Sequence, residues 1–199
     1  MGKKAWEKHL ADVEIERLSR EVELDPKTGL LNYPAFKKKA QERISSGVSE
    51  GRRPIFSLLL ADLDDFKQIN TLLGYQATDE FCLLPAAEAV KEFTKRPGDV
   101  ASEAGRFGGE EFVMLLEGTD TLGAVTVAQR LQQKINDLSF ATPHGRQNVG
   151  VTIGLTTLDV DGSYEQAFNE ANQCLQEAKN IEGKNRIAIA GMGVVIPQA

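Results

Sequence analysis

The chain has 199 residues, 41% of them hydrophobic and 26% charged, which suits one globular domain and excludes a disordered or fibrous protein. Its net charge of −6 argues against a protein that coats nucleic acid polymers or anionic membranes, because both partners require a basic surface. The N-terminus is polar and charged, and no apolar run approaches the roughly 20 residues that span a bilayer. We therefore expect a cytoplasmic protein without a membrane segment.

The first 24 residues are predicted to form a helical stalk or linker. Apolar residues recur there at spacings of three and four, which is typical of a helix with one apolar stripe. The segment is too short and too polar to fold alone, so it is either a coiled-coil stub that pairs with a second copy or a helix lying on the domain. Pro26 and Gly29 end it, and Pro34 favours the start of a second helix that runs to about Ser46.

An uninterrupted apolar run at residues 55–61 predicts a strand that is buried on both faces. Asp62, Asp64 and Asp65 follow it directly, and carboxylates packed this closely repel one another unless a cation lies among them. Oxygen-rich sites of this kind suit Mg²⁺. The same carboxylates also precede a helical stretch, where an aspartate commonly caps the first turn. We assign Asp62 to a metal and Asp64 or Asp65 to the helix cap.

Residues 74–79 are predicted to be a loop, and residues 79–96 a long helix that ends before Pro97-Gly98. The apolar positions expected to be buried on this helix are Phe81, Leu84, Ala87, Ala89 and Val90. Cys82 lies in the same stretch and Cys174 in a later helix, and neither belongs to a CxxC pair. Packing in the core of a protein from a reducing compartment is the expected role of both cysteines.

The stretch Arg106-Phe107-Gly108-Gly109-Glu110-Glu111-Phe112 predicts a tight β-hairpin with two carboxylates at its tip. A Gly-Gly pair supplies the positive φ angles that a two-residue hairpin turn requires. Polar hairpin tips are usually no more than solvated turns. Glu110 and Glu111 therefore gain a chemical meaning only if another carboxylate approaches them, and Asp62 is the candidate.

The elements predicted after the hairpin are two helices and two strands, which complete the pattern of an α+β fold. Residues 122–138 predict an amphipathic helix, 149–155 a β-branched strand, 164–179 another helix and 186–190 a final strand. Taken with the earlier elements, this order predicts a sheet with helices mainly on one face, of the ferredoxin-like kind.

Several motifs, in a fixed order, resemble the GGDEF family of diguanylate cyclases. The domain opens with Asp25-x-x-Thr28-Gly29-Leu30-x-Asn32 and continues with Asp62-Leu63-Asp64-x-Phe66-Lys67-x-Ile69-Asn70. Gly74 and Asp79 come next, followed by Arg106-x-Gly108-Gly109-Glu110-Glu111-Phe112, and finally by Ala178-Lys179 and Gly183-Lys184-Asn185-Arg186. The resemblance covers roughly residues 25–190, and the order of the motifs makes it specific, which a Gly-Gly-Glu-Glu-Phe sequence alone would not be.

The resemblance implies a palm-type nucleotidyl cyclase domain at residues 25–191, with a central, mainly antiparallel sheet surrounded by helices and a C-terminal tail at residues 192–199. The implied activity is that of a diguanylate cyclase, a signalling transferase dependent on Mg²⁺ or Mn²⁺. It condenses two GTP into cyclic di-GMP and releases two pyrophosphates. Because one domain presents one carboxylate cluster, catalysis is expected across a homodimer, which the N-terminal stalk would help to hold together. An upstream sensor or partner is also expected.

The resemblance also assigns roles to individual residues. Asp62, the Leu63 carbonyl and Glu110 would hold the metal, and Glu111 would assist there or take the 3′-hydroxyl proton, so that Glu110 and Glu111 are the catalytic pair. Asn70 and Asp79 would recognise guanine, because a carboxylate accepts hydrogen bonds from its N1–H and amino groups. The other predicted substrate-binding residues, which include the phosphate-binding lysines and backbone amides, are Asp65, Phe66, Lys67, Gly108, Gly109, Lys179 and Lys184.

Some positions depart from the family pattern. Thr71, Tyr75 and Thr78 stand around the guanine pocket where Asp, His and Gly are usual, and the helix before Lys179 carries similar replacements at Asn172 and Gln176. Two alternatives therefore stay open. One is a degenerate domain that binds GTP or cyclic di-GMP and regulates a partner without catalysis. The other is an enzyme that makes a mixed guanine-adenine dinucleotide. Such an enzyme is expected to lack the guanine-binding carboxylate, whereas Asp79 is present here.

Arg96 and Asp99 form an Arg-x-x-Asp pattern shortly before the hairpin, which resembles the inhibitory product site of the family. About three residues more than usual lie between this pattern and Gly108. The hypothesis is that cyclic di-GMP binds at Arg96 and Asp99 and inhibits its own synthesis.

Overall fold

The computed structural model describes residues 23–49, 55–94, 102–143, 145–158 and 162–195. Nearly all of the predicted N-terminal stalk, and the pair Arg96 and Asp99, lie outside these described residues. The strands are β1 (Leu31–Asn32), β2 (Phe56–Leu63), β3 (Ser102–Arg106), β4 (Glu111–Glu117), β5 (Ser139–Thr142), β6 (Gly145–Asn148), β7 (Val151–Leu158), β8 (Ile187–Ile189) and β9 (Gly193–Val195). The helices are α1 (Tyr33–Ser49), α2 (Phe66–Leu73), α3 (Tyr75–Thr78), α4 (Leu84–Glu92), α5 (Thr121–Asn136) and α6 (Tyr164–Lys179).

The main sheet has seven strands in the order β1-β3-β4-β2-β7-β8-β9. Strand β2 lies at its centre and pairs antiparallel with both β4 and β7, whereas β1–β3 and β7–β8 are parallel pairs. The predicted α+β class with a mainly antiparallel sheet is confirmed. The short strands β1, β5, β6 and β9 were not predicted, and β9 extends the sheet into the segment 192–199 that the sequence suggests is a tail.

Helices cover both faces of the sheet, so the expectation that they lie mainly on one face is wrong. On one face, Leu59 and Leu63 of β2 pack in a buried cluster with residues of α2, α4 and α5. On the other face, Leu58 and Leu60 pack with residues of α1 and α6. This two-sided burial is the reason that the middle of β2, residues 58–61, is continuously apolar rather than alternating. Among the described residues, no helix is long and apolar enough to cross a membrane.

The helical segment after α2 differs from its prediction in two ways. It begins at Tyr75 rather than at Asp79, because only Gly74, with φ 80°, interrupts the chain after α2. It also contains one π-helical turn, Asp79–Leu83, between α3 and α4. A π-turn inserts an extra residue and rotates the buried face. Phe81 and Leu84 are therefore 47% and 38% exposed instead of buried.

Helix α6 lies unusually close to β7, and this contact fixes the position of Lys179 at the end of the helix. A Cβ atom built on Gly154 of β7 would lie 2.2 Å from the Ala171 carbonyl oxygen and 2.5 Å from the Leu175 nitrogen, both backbone atoms of α6. Only glycine permits this approach. The free cysteines Cys82 and Cys174 are buried, which confirms their predicted place in the core.

Candidate active site

The strand register brings the predicted acidic residues together at one end of the sheet. Asp62 of β2 lies directly opposite Glu111 of β4 and opposite Thr152 of β7. Facing residues of an antiparallel pair project on the same side of the sheet with neighbouring side chains. Glu110 precedes the strand, and its carbonyl oxygen accepts a hydrogen bond from the Leu63 amide at 3.3 Å. The carboxylate that faces Asp62 is therefore that of Glu111, one residue beyond the predicted partner Glu110.

The turn before Glu111 is longer than predicted. The strands end at Arg106 and begin again at Glu111, which leaves four residues in the loop, and neither Gly108 nor Gly109 adopts a positive φ. The expected left-handed Gly-Gly turn is therefore wrong. A Cβ built on Gly108 would lie 2.2 Å from Oε2 of Glu111 and would displace that carboxylate, whereas a Cβ on Gly109 meets nothing within 4 Å. The carboxylate of Glu111 folds back over the Gly108 backbone.

The electrostatics of this acidic cluster, Asp62, Glu110 and Glu111, favour a bound cation. Burial, and then the negative charges of Asp62 and Glu110, raise the pKa of Glu111, while the Lys179 ammonium opposes this shift. The Oδ1 atom of Asp62 is buried and accepts no hydrogen bond, although Lys179 contacts it as an ion pair. Three carboxylates outnumber this one ammonium, so the cluster keeps a negative charge that a cation would balance.

The described residues contain no group of three or more Cys, His, Asp or Glu side chains arranged as a complete metal site. Mg²⁺ commonly takes one or two carboxylates from a protein and the rest of its oxygens from water and substrate phosphates, so it does not require such a group. The acidic cluster thus has the donor type and the charge for such an ion, provided that a phosphate-bearing ligand completes the coordination.

Asp64 and Asp65 do not cap helix α2, so that prediction is wrong. Asp65 occupies the N-cap position, but its side chain makes no capping hydrogen bond. Asp64 is buried, and it accepts hydrogen bonds from the Thr152 hydroxyl and the Asn185 amide, both at 2.8 Å. Lys179 also lies 3.6 Å from Asp64. Burial raises the pKa of Asp64, although these partners and Lys179 favour its charged form. Asp64 therefore ties β7, α6 and the loop after α6 to the end of β2.

Backbone strain is concentrated at the same place. In the described part of the chain, the non-glycine residues with positive φ are Asp65 (56°), Lys184 (37°) and Asn185 (50°). The ammonium of Lys184 lies 2.6 Å from the Asp65 carboxylate, so the two strained segments contact each other. Left-handed conformations of such residues cost about 1 kcal/mol or more each and cluster at functional sites. This junction brings Lys179 and Lys184 to the acidic cluster.

A cavity of about 600 Å³ opens beside the acidic cluster, which is within the usual size for a small-molecule site. It is lined by Lys27, Phe66, Lys67, Asn70, Thr71, Tyr75, Asp79, Leu83, Arg106, Gly109 and Glu110. Glu110 is thus shared between the cavity and the cluster. Most of the predicted substrate-binding residues line the cavity or lie at the junction described above. The Oδ1 atom of Asn70 is buried there without a hydrogen-bond partner.

Arg106 connects the turn to the segment that opens the domain. Its guanidinium donates to the Gly108 and Gly109 carbonyl oxygens, at 2.9 and 3.2 Å from Nε, and lies 3.1 Å from both carboxylate oxygens of Asp25. Burial of Asp25 opposes its ionisation, but hydrogen bonds from Thr28 and the charge of Arg106 hold its pKa below the usual range. No role was predicted for Arg106, Asp25 or Lys27 from the sequence, although all three lie within the motifs that resemble the family.

Comparison with known proteins agrees with this geometry. The family model described as "Diguanylate cyclase, GGDEF domain" matches residues 22–186. The chain belongs to the GGDEF family. It is 32% identical over 175 residues to diguanylate cyclase DgcM of Escherichia coli K12, covering 88% of this chain and 40% of the relative. It is 31% identical over 140 residues to diguanylate cyclase A of Treponema denticola, covering 70% of this chain and 36% of the relative.

The fold is also that of a solved GGDEF structure. The coiled coil and GGDEF domain of DgcB from Caulobacter crescentus, in complex with c-di-GMP, superimposes with a TM-score of 0.81 over 94% of this chain and 95% of that one, at 20% identity. The chain spans about two fifths or less of the length of the curated relatives named above.

Proposed function

We propose that this GGDEF domain is a diguanylate cyclase that condenses two GTP into cyclic di-GMP and releases two pyrophosphates. The observation that carries the proposal is the acidic cluster beside a cavity that Asn70 and Asp79 also line. Such a site offers metal and phosphate ligands at one end and nucleobase acceptors at the other. Membership of the family and the named diguanylate cyclase relatives support the same reaction.

At the base end, Asp79 and Asn70 bind guanine. The Asp79 carboxylate accepts from the guanine N1–H and amino group, and the Asn70 side chain, whose Oδ1 lacks a partner, supplies a further acceptor. Phe66 and Leu83 provide the apolar wall of the cavity. At the phosphate end, Lys67 faces the cavity, and Lys179 and Lys184 exchange their ion pairs with Asp62 and Asp65 for contacts to the triphosphate.

At the acidic cluster, Asp62, the Leu63 carbonyl and Glu110 would hold Mg²⁺ or Mn²⁺. When bound, the ion polarises the α-phosphate and stabilises the leaving pyrophosphate. Glu111 faces Asp62, and its carboxylate beside the metal site can accept a proton. We assign to it the proton of the attacking 3′-hydroxyl. Gly108 keeps space for this carboxylate and Arg106 fixes the turn that carries it.

Condensation requires two GTP molecules that face each other, and each chain offers one acidic cluster. The active species is therefore a homodimer in which each subunit presents its nucleotide to the other. The segment 1–24, predicted as a helical stalk, would raise the local concentration of the second subunit. We place the protein in the cytoplasm, where GTP is available, under the control of a sensor or partner. Inhibition by cyclic di-GMP at Arg96 and Asp99 stays a prediction.

A second candidate is a domain that binds nucleotide and regulates a partner without catalysis. The observation that favours it is the altered lining of the cavity that contains Asp79. Thr71 and Tyr75, which depart from the family pattern, line the same cavity, and Tyr75 is 80% exposed. The intact acidic cluster favours the cyclase over this candidate.

The test is incubation of the protein with GTP and Mg²⁺, with separation of the products by chromatography. We expect cyclic di-GMP and pyrophosphate in a one-to-two ratio from the wild type and neither from Glu110→Ala. A dimeric preparation that binds GTP and forms no cyclic dinucleotide would favour the regulatory domain. Formation of a mixed dinucleotide from GTP and ATP together would identify the protein as an enzyme that makes a guanine-adenine dinucleotide.

A further inference from the structure

The strongest unassigned feature is Lys27, a cation at the mouth of the cavity. Its ammonium lies 2.6 Å from Oδ2 of Asp79, which is 52 residues away in sequence. Both residues line the cavity that also contains Asn70. Lys27 therefore stands beside the carboxylate to which the proposed function assigns guanine recognition.

The backbone around Lys27 is held firmly, so its direction is built into the fold. The Asp25 carboxylate accepts from the Thr28 amide at 2.8 Å and from the Thr28 hydroxyl at 2.6 Å. The same carboxylate lies against Arg106, and backbone hydrogen bonds join Asp25 to Gly29 and Leu30. This short loop fixes the residues on both sides of Lys27. Lys27 is thus anchored at the cavity although its side chain is 46% exposed.

The pairing of a cation with an anion matches one edge of guanine. Guanine presents an acceptor, O6, next to the N1–H donor and the amino donor, and lysine contacts to O6 are among the common ways in which proteins recognise this base. Adenine presents an amino donor in place of O6 and an acceptor in place of N1–H. An adenine would therefore place a donor against the Lys27 ammonium and an acceptor against the Asp79 carboxylate.

We propose that Lys27 is a specificity-determining residue that donates to guanine O6 while Asp79 accepts from N1–H and the amino group. This inference rests on the proposed function, because it takes guanine as the base. In the free protein, Lys27 neutralises Asp79. When the nucleotide binds, the ammonium moves from the carboxylate to O6, so that neither charged group is left without a partner. The ion pair between Lys27 and Asp79 is thus replaced by two adjacent contacts to guanine, one from each residue.

The test measures binding rather than turnover, with nucleoside diphosphates, which have no pyrophosphate to release. GDP is compared by titration calorimetry with 6-thio-GDP, which replaces O6 by a weaker acceptor, and with IDP, which lacks the amino group. The proteins are wild type, Lys27→Met, Lys27→Arg and Lys67→Met. Thermal unfolding of each variant verifies that the exposed substitutions leave the fold intact.

We expect the wild type to prefer GDP over 6-thio-GDP by roughly tenfold, the size of one hydrogen bond from a charged donor. Lys27→Met should abolish this preference and keep the preference over IDP, whereas Lys27→Arg should keep both. Lys67→Met should weaken all three ligands alike, because its contact is to phosphate. A Lys27→Met protein that keeps the full preference for GDP over 6-thio-GDP overturns the inference.

The outcomes also separate this inference from the proposed function. If the wild type binds GDP without preference over either analogue, the guanine pocket is wrong and both proposals fall. If the preference for O6 depends on Lys27 but GTP yields no cyclic dinucleotide, Lys27 keeps its role and the cyclase assignment falls.

Discussion

The two ends of the candidate active site are built in different ways. The acidic end lies on β2 and β4, two central strands whose pairing places Asp62 opposite Glu111. The base end is assembled from the first loop, α2, the π-turn and the hairpin turn, which contribute Lys27, Asn70, Asp79 and Gly109 to one cavity. Strand register fixes the first arrangement almost completely, whereas the second depends on how separate loops are held. We therefore expect the side chains of the acidic end to keep their positions when single residues are changed. We expect the base end to determine which nucleobase is bound.

The largest effect is expected at the acidic end. Asp62→Asn removes the central negative charge of the cluster while it keeps the shape of the side chain. Formation of cyclic di-GMP from GTP should fall on the order of a hundredfold or more, the usual cost of losing a group that stabilises developing charge. The measurement is the initial rate at saturating Mg²⁺. Activity close to that of the wild type would show that the metal is held elsewhere.

The next effect concerns the junction behind the acidic end. Asp64→Ala removes a buried carboxylate with three partners and leaves the Asn185 amide without its acceptor, so it should cost about 3 kcal/mol of unfolding free energy. Asp65→Ala is the matched control, because Asp65 is 42% exposed and its ion pair with Lys184 is worth about 1 kcal/mol or less. Urea unfolding measures both. Equal losses would contradict the structural role of Asp64.

Arg106 joins the two ends, and its removal should affect both. Arg106→Ala should cost about 2 kcal/mol, because hydrogen bonds to Asp25 and to the turn carbonyls are lost together. The pKa of Asp25 is lowered in the folded state, so its contribution to stability is present at neutral pH and lost as pH falls through that pKa. The stability difference between wild type and variant should therefore shrink in acid. A difference that is constant with pH would exclude the Asp25 contact as its source.

A smaller effect separates the two glycines of the turn. Gly108→Ala should displace the Glu111 carboxylate and cost about 1 kcal/mol, since the flexible side chain can move aside. Gly109→Ala meets no atom within 4 Å in the free protein and should leave the Glu111 pKa unchanged. Carboxyl NMR titration of Glu111 in each variant measures this. A pKa that moves equally in both variants would contradict the close contact at Gly108.

The smallest effect is a gain of stability. The folded pKa of Glu111 is raised, so its ionisation opposes folding above the unfolded pKa and the penalty disappears once acid protonates both states. Glu111→Gln should therefore be more stable than wild type at pH 7 and should lose this advantage below about pH 4. Unfolding by urea across this range measures the difference. A variant that is less stable at pH 7 would show that Lys179 outweighs the repulsion.

The sequence predicted that Asp62 and the hairpin glutamates lie near each other, because the signals for this arrangement are local. The apolar run of β2, the carboxylates after it and the glycines before Glu111 each lie within a few residues, and family order connects them. Which glutamate faces Asp62 depends on the number of residues in the turn, and the sequence did not predict that number. The facing residue is Glu111 rather than Glu110. Asp64 or Asp65 was assigned to a helix cap because both precede a helical stretch. The actual partners of Asp64, Thr152 and Asn185, lie on distant segments that the local sequence does not reveal.

The base end was predicted less completely, because it is built from contacts between segments that are distant in sequence. Asn70 and Asp79 came from the family pattern, but the ion pair between Lys27 and Asp79 joins two loops that no periodicity relates. The π-turn at Asp79–Leu83 also rotates the buried face of the helix, which a regular helical periodicity does not predict. Phe81 and Leu84 were therefore predicted to be buried but are exposed. Local sequence patterns therefore predicted the longer strands, whereas contacts between loops became visible only in the fold.

The most direct test of the whole account is a crystal structure of the protein with 3′-deoxy-GTP, which cannot condense, and Mn²⁺. We expect the guanine to lie against Asp79 and Asn70, and an anomalous Mn²⁺ peak to lie between Asp62 and Glu110. A nucleotide bound in the opposite direction, or an Mn²⁺ peak away from the acidic cluster, would contradict the division of the site into these two ends.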